Sequence, residues 1–179
     1  MKRLTLLTLF LTAAAWAQAP TTGKILDQQL TALERELVPL AEAMPADKFA
    51  FAPSQGEFRG VRTFGQQVSH VAAVMYAVAA SVSGQKNPTD MGTNENGPAA
   101  LKTKDDIVKY LKDSFAYAHM AMQGITDQNA TQMVDSAFGS GKAPRMSMAN
   151  VAIWHGFDHY GQMAVYARMC GIVPPASRR

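Results

Sequence analysis

The sequence contains very little cysteine and almost no excess charge of either sign. Its 179 residues include one cysteine, Cys170, so no disulfide can form within the chain and a disulfide-stapled fold is excluded. The 17 basic and 14 acidic residues leave a formal net charge of only +3, which gives no indication of a nucleic-acid partner. With 47% hydrophobic residues, the composition is that of a globular protein large enough to bury a core.

The N-terminus carries a run that is free of charge and mostly apolar. Lys2 and Arg3 precede this run at residues 4–15, which ends in Ala-Trp-Ala at 15–17. The pattern predicts a secretory signal peptide over residues 1–17, because the run is too short to anchor in a bilayer of about 30 Å. Residues 18–179 are then expected to form one domain, periplasmic or secreted, without a membrane span or a nucleic-acid partner.

Four segments carry apolar residues in steps of three and four, the period of an amphipathic α-helix. The first covers about Gly23 to Met44, and the fourth about Ser147 to Met169. The second and third open at the N-cap residues of two capping boxes, Thr63 with Gln66 and Thr103 with Asp106. No segment predicts a strand, so the expected fold class is an all-α four-helix bundle.

The segment between the second and third helices, from about Ser83 to Lys102, is rich in glycine, asparagine, proline and threonine. It is too long for a simple turn between helices. Its length predicts a long crossover connection between two helices that are not antiparallel neighbours.

The apolar stripe of the fourth helix contains two histidines and a glutamine. His155 and His159 are four residues apart, so their side chains lie one above the other on one helix face and their imidazoles can converge on one ion. The stripe consists of Met148, Ala152, His155, His159, Gln162, Tyr166 and Met169. A third ligand is expected from a facing helix. Periodicity alone leaves His70 and His119 as equal candidates, since each lies at the edge of an apolar stripe.

The segment 154–162, Trp-His-Gly-Phe-Asp-His-Tyr-Gly-Gln, resembles the C-terminal helix of the DinB-like superfamily. It continues into Val-Tyr-Ala-Arg at 165–168 and Gly-Ile-Val-Pro-Pro at 171–175. Upstream, Met-Pro-Ala-Asp-Lys-Phe at 44–49 and Arg-Thr-Phe-Gly-Gln at 62–66 resemble the first loop and second helix of the family. The resemblance extends over nearly all of residues 18–179.

This resemblance implies a four-helix bundle with a long crossover, usually a homodimer, that binds a divalent transition metal such as zinc, nickel, manganese or iron. The metal ligands that it implies are His70, His155 and His159, which leaves His119 as a structural or surface residue. Many members have a histidine where this chain has Asp158. Here Asp158 is expected either to approach the metal or to orient a ligand.

Three neutral histidines leave at least one coordination position open, as in catalytic rather than structural sites. The family contains metal-dependent hydrolases and thiol transferases of small thiols, and export favours hydrolysis of a small-molecule substrate. Gly156 occupies the position where zinc proteases have a glutamate base, so that class is disfavoured.

Cys170 is predicted to be a small buried residue remote from the metal, and Gly161 is predicted to allow close helix packing. The alternatives are a non-catalytic metal-binding protein and a structural bundle with a polar histidine core.

Overall fold

Four long helices form the structure, a computed structural model that describes residues 19–178. The signal peptide predicted over residues 1–17 lies outside the described residues. The helices are α1 (Thr22–Ala43), α2 (Phe64–Ser83), α3 (Lys104–Gln123) and α4 (Arg145–Met169). A short antiparallel hairpin, β1 (Met133–Asp135) and β2 (Lys142–Pro144), precedes α4, with Val134 opposite Ala143. The predicted all-α four-helix bundle is confirmed, although the hairpin was not foreseen.

Both predicted capping boxes are present. The Thr63 hydroxyl accepts a hydrogen bond from the backbone N–H of Gln66, and the Gln66 side chain accepts one from the backbone N–H of Thr63. Thr103 and Asp106 make the same reciprocal pair at the start of α3. Each pair satisfies two backbone donors that the helix itself cannot satisfy, which fixes where α2 and α3 begin.

The predicted stripes of the first three helices form the core. Leu30, Leu33 and Leu37 of α1 are fully buried, and burial of each leucine side chain contributes about 1.5–3 kcal/mol of transfer free energy. The predicted stripe of α2 is buried along its whole length: Phe64, Val68, Val71, Met75, Val78 and Val82. These apolar faces determine how the helices pack.

The helix α2 lies between α3 and α4, and α1 packs on the other side of the same two helices. The helices α1 and α3 are antiparallel, because Lys104 at the start of α3 bonds the Met44 carbonyl beyond the end of α1. The helices α2 and α4 are antiparallel too, since Arg145 at the start of α4 bonds Val82 near the end of α2.

The neighbours α2 and α3 are parallel, because both begin beside Phe49. Gly65 of α2 donates its backbone N–H to the Phe49 carbonyl at 2.8 Å, and the Lys104 ammonium lies 5.8 Å from the centre of the Phe49 ring. The connection over residues 84–103 therefore returns along the length of α2. This confirms the crossover between helices that are not antiparallel neighbours.

The stripe predicted for α4 is only partly correct. Met148, Ala152, His159 and Tyr166 are buried, but Gln162 and Met169 are exposed. Met163 is fully buried instead of Gln162, because the packed face of the helix follows the 3.6-residue period.

The glycine that permits close packing in α4 is Gly156, not Gly161. A Cβ atom at Gly156 would lie 2.2 Å from Cδ2 of Leu33, whereas one at Gly161 would meet no atom within 4 Å. The prediction for Gly161 was therefore wrong, and the close approach of α4 to α1 occurs five residues earlier, at Gly156. Within residues 19–178, no helix combines the length and the apolar character needed to cross a membrane.

Candidate metal centre

Three histidines converge at the interface between α2 and α4. His70 comes from α2, and His155 and His159 come from successive turns of α4. One ring nitrogen of each lies within 4.8 Å of the corresponding nitrogens of the other two. The ring centroids are 5.1 Å apart for His70 and His155, 4.8 Å for His70 and His159, and 4.4 Å for His155 and His159. The structure thus brings together the three residues that the resemblance implies.

The bonds made by the outer ring nitrogens determine which nitrogens face the centre of the cluster. Nδ1 of His70 donates to the backbone carbonyl of Glu95 at 3.0 Å. Nδ1 of His159 donates to Oε1 of Gln67. With a proton on Nδ1, each neutral imidazole carries its lone pair on Nε2. The two rings are therefore held in the tautomer that can bind a metal through Nε2.

A chain of side-chain hydrogen bonds extends from His159 to the surface. Gln67, which is 3% exposed, donates through Nε2 to Oε1 of Gln162 at 3.1 Å. Gln162 in turn donates to Oδ2 of Asp158 at 3.2 Å. Asp158 is exposed and does not belong to the converging group. Its connection to His159 is indirect, through Gln162 and Gln67.

Burial keeps the three imidazoles neutral. It is the main cause that lowers the pKa of His155 to about 3 and that of His159 to about 4, and the neighbouring histidines lower both further. Burial also lowers the pKa of His70, although the bond to the Glu95 carbonyl opposes the effect. A metal binds neutral imidazole, so this environment favours the ligand form at neutral pH.

The donor set fits a divalent transition metal. Nε2 of His70 and Nε2 of His155 are 3.2 Å apart. Two nitrogens on a tetrahedral zinc with bonds of about 2.0–2.1 Å lie about 3.3 Å apart. Two lone pairs that face each other at this distance repel unless a proton or a cation lies between them. Three histidines leave at least one position open on such a cation.

Sequence reasoning missed two residues that hold the histidines. Gln67 lies three residues before His70, and Glu95 belongs to the crossover segment. Gln67 could have been noticed as a polar residue on an otherwise apolar helix face. Glu95 gave no signal, because it uses its backbone carbonyl and any residue type has one.

His119 and Cys170 lie elsewhere. Nδ1 of His119 is 2.6 Å from Oδ1 of Asp27, and its Nε2 is 3.2 Å from Oε2 of Glu34. His119 therefore joins α3 to α1 and does not belong to the converging group. Cys170 is a half-buried free thiol at the C-cap of α4, eleven residues after His159.

The fold and the site together define a helical bundle with a three-histidine centre between two antiparallel helices. The family model of the DinB superfamily matches residues 29–163. The chain therefore belongs to the DinB superfamily, as the resemblance indicated. None of the curated proteins matches the sequence.

Solved structures show the same fold. A DinB-like protein from Bacillus cereus superposes with a TM-score of 0.65 at 20% identity, over 84% of this chain and 93% of that chain. A DinB-like protein from Bacillus subtilis superposes with a TM-score of 0.62 at 17% identity, over 82% of this chain and 92% of that chain. Both similarities extend over nearly the full length of the other protein.

Proposed function

We propose that the protein is an exported metal-dependent enzyme that binds one divalent transition metal through His70, His155 and His159. The convergence of three ring nitrogens within 4.8 Å of one another is the observation that carries this proposal. Family membership supports it, because the resemblance implies the same three ligands. The hydrogen bonds of His70 and His159 support it further, since they leave Nε2 available on both rings.

The side chains around the centre hold and orient its ligands. Glu95 fixes the ring of His70 through its carbonyl, and Gln67 fixes the ring of His159. His70 and His159 are buried, whereas His155 is half-buried. A substrate can therefore approach the centre from the side of His155. A divalent metal bound there would activate water, or a thiol, for nucleophilic attack.

Hydrolysis is the reaction class that we favour, with thiol transfer as the second class. Export supports hydrolysis, because the small thiols used by transferases of this family are cytosolic. Export itself remains a proposal, based on residues 1–17. Mass spectrometry of the protein from the native envelope fraction should show a chain that begins after Ala17, and an intact Met1 there would contradict export with cleavage.

The first experiment measures metal content in protein purified without an affinity tag. We expect about one ion per chain in the wild type and in His119→Ala, and loss of the ion in His155→Ala and His159→Ala. His119→Ala is the matched control, because it also removes one histidine from a helix interface. Absence of metal from the wild type after incubation with zinc, nickel, manganese and iron would support the structural-bundle alternative and refute the proposal.

The second experiment separates an enzyme from a non-catalytic metal-binding protein. Metal-loaded protein is assayed with chromogenic carboxylic and phosphoric esters for hydrolysis, and with a small thiol plus an electrophile for transfer. Turnover that His155→Ala abolishes and His119→Ala retains would support the enzyme. Stoichiometric metal with no turnover in either assay would favour the binding protein.

The homodimer implied by the resemblance also remains a prediction. Light scattering coupled to size-exclusion chromatography should give twice the mass of one chain. A monomer at micromolar concentration would contradict it.

A further inference from the structure

Arg62, next to the N-cap of α2, is held by two hydrogen bonds from its guanidinium. Nε donates to Oδ1 of Asn96 at 2.8 Å, and Nη2 donates to the backbone carbonyl of Asn94 at 2.7 Å. Asn94 directly precedes Glu95, whose carbonyl binds His70. Arg62 and His70 are therefore bound to adjacent carbonyl groups of one short segment.

That segment has an unusual backbone. Asn94 and Glu95 have φ angles of 54° and 57°, the left-handed region that non-glycine residues rarely occupy. A Cβ atom at Gly92 would lie 1.8 Å from the Gly97 carbonyl oxygen, so the ends of the segment touch. Such strain persists only where surrounding contacts hold it, and it is concentrated at functional sites. In this conformation the carbonyl of Asn94 accepts from Arg62, and the carbonyl of Glu95 accepts from His70.

A polar cavity of about 740 Å³ opens next to Arg62. Its lining includes Arg62, Gln66, Asn94, Glu95 and Asn96. Of the five N–H donors of a guanidinium, the described residues accept two from Arg62. Three N–H groups remain for a ligand, and the two existing bonds hold the planar group in a fixed orientation. An arginine held in this way is suited to bind a carboxylate or a phosphate through two parallel hydrogen bonds.

The charges around the cavity also favour an anion when a metal is present. After burial, which has the largest effect, the positive charge of Arg62 contributes to lowering the pKa of all three histidines. Glu95 is the one acidic residue in the cavity lining, and its half-exposed carboxylate lies 3.9 Å from Nδ1 of His70. A divalent cation at the three histidines, together with Arg62, would outweigh this single negative charge.

We propose that Arg62 binds an anionic group of the substrate, a carboxylate or a phosphate, in this cavity, which Glu95 joins to the three-histidine centre through its contact with His70. The substrate class is then a small anionic molecule, one end of which binds Arg62 while its reactive bond lies near the histidines. This inference deepens the proposed function and rests on it for the position of the reactive bond. The binding of an anion by Arg62 can be measured without any turnover.

The test uses the full domain, metal-free and zinc-loaded, titrated with inorganic phosphate and, separately, with acetate. The Nε–H resonances of the arginines are followed by ¹⁵N NMR, and Arg62→Lys identifies the signal of Arg62. We expect that signal to shift with at least one of the two anions, and Arg62→Gln to weaken the affinity at least about tenfold. Zinc should tighten binding of the same anion, because the cation and Arg62 attract it together.

Arg59→Gln is the matched control, because Arg59 is exposed, lies three residues before Arg62 and carries the same charge. We expect it to change the affinity by less than about twofold. Glu95→Gln should tighten binding, since it removes the negative charge and keeps the backbone carbonyl that holds His70.

Three results would overturn the inference. The Arg62 resonance could be insensitive to both anions, Arg59→Gln could weaken binding as much as Arg62→Gln, or zinc could leave the affinity unchanged in protein shown to contain bound zinc. If Arg62→Gln does not fold, the titration of the Arg62 resonance in the wild type still decides. Failure of the proposed function is recognised separately, by absence of metal from the wild type.

Discussion

Removal of the metal should destabilise the protein by a predictable amount. The three imidazoles converge only in the folded chain, since His70 is separated from His155 by 85 residues. We therefore expect the folded state to bind the ion far more tightly than the unfolded chain does. At a free metal concentration of about 100 times the dissociation constant, this preference would add about 2.7 kcal/mol to the free energy of unfolding. For a chain of this size, that corresponds to an increase in Tm of roughly 5–11 °C.

The pH dependence of this increment follows from the lowered pKa values. An exposed histidine has a pKa of about 6.5, but burial lowers the pKa of His155 to about 3 and that of His159 to about 4. Protons therefore compete with the metal for the folded chain only near these lower values. The increment should persist at about pH 5.5, where exposed histidines are largely protonated, and should fade towards pH 4.

The metal-free protein should behave differently over the same range. Between about pH 6.5 and pH 4 its unfolded chain binds more protons than the folded chain, because the folded-state pKa values are lower. Its stability should therefore decrease as the pH falls through this window. The two pH dependences can be measured separately. The first is the change in stability of the metal-free protein with pH, and the second is the difference in stability between metal-loaded and metal-free protein at each pH.

The assay is differential scanning calorimetry of the zinc-loaded and chelator-treated protein at about pH 7.5, 5.5 and 4. His155→Ala should abolish the metal-dependent increment, and His119→Ala should preserve it. An unchanged Tm after removal of stoichiometric metal would refute the reasoning. Loss of the increment already at about pH 6 would show that the histidines are not as strongly desolvated as their burial implies.

Three other substitutions test separate parts of the structure. Gln67→Ala removes the acceptor for Nδ1 of His159 and should weaken metal affinity about 10- to 100-fold in a competition titration; unchanged affinity would show that Gln67 does not orient the ring. Gly156→Ala inserts a methyl group against Leu33 and should cost about 1–3 kcal/mol in chemical denaturation, and an unchanged midpoint would contradict the close contact. Cys170→Ala should leave the metal content at the wild-type value by elemental analysis, and loss of the ion with the fold intact would overturn the ligand set.

The sequence was informative where a local pattern controls the structure. Helix starts at Thr63 and Thr103 could be predicted, because the capping box uses residues three positions apart. The buried faces of the first three helices could be predicted from periodicity alone. The stripe of α4 was less predictable. Extending it from His155 and His159 by three residues placed Gln162 in the core, but Gln162 lies at the surface and accepts a hydrogen bond from Gln67.

The candidate site was only partly accessible to sequence reasoning. The four-residue spacing indicated His155 and His159, but periodicity left His70 and His119 open, because the arrangement of the helices decides which of them faces α4. The length of the segment between α2 and α3 predicted a crossover, but nothing in the sequence indicated that the backbone of this segment would contact His70. Contacts made by backbone carbonyls and by residues distant in sequence depend on the tertiary fold, so they require a structure.

The measurement that tests the central claim most directly is anomalous scattering from crystals of the metal-loaded protein. We expect a single strong peak between α2 and α4, within about 2.2 Å of one ring nitrogen each of His70, His155 and His159, with at least one further position occupied by solvent. A peak at His119, or metal-containing crystals with no peak among the three histidines, would contradict the account.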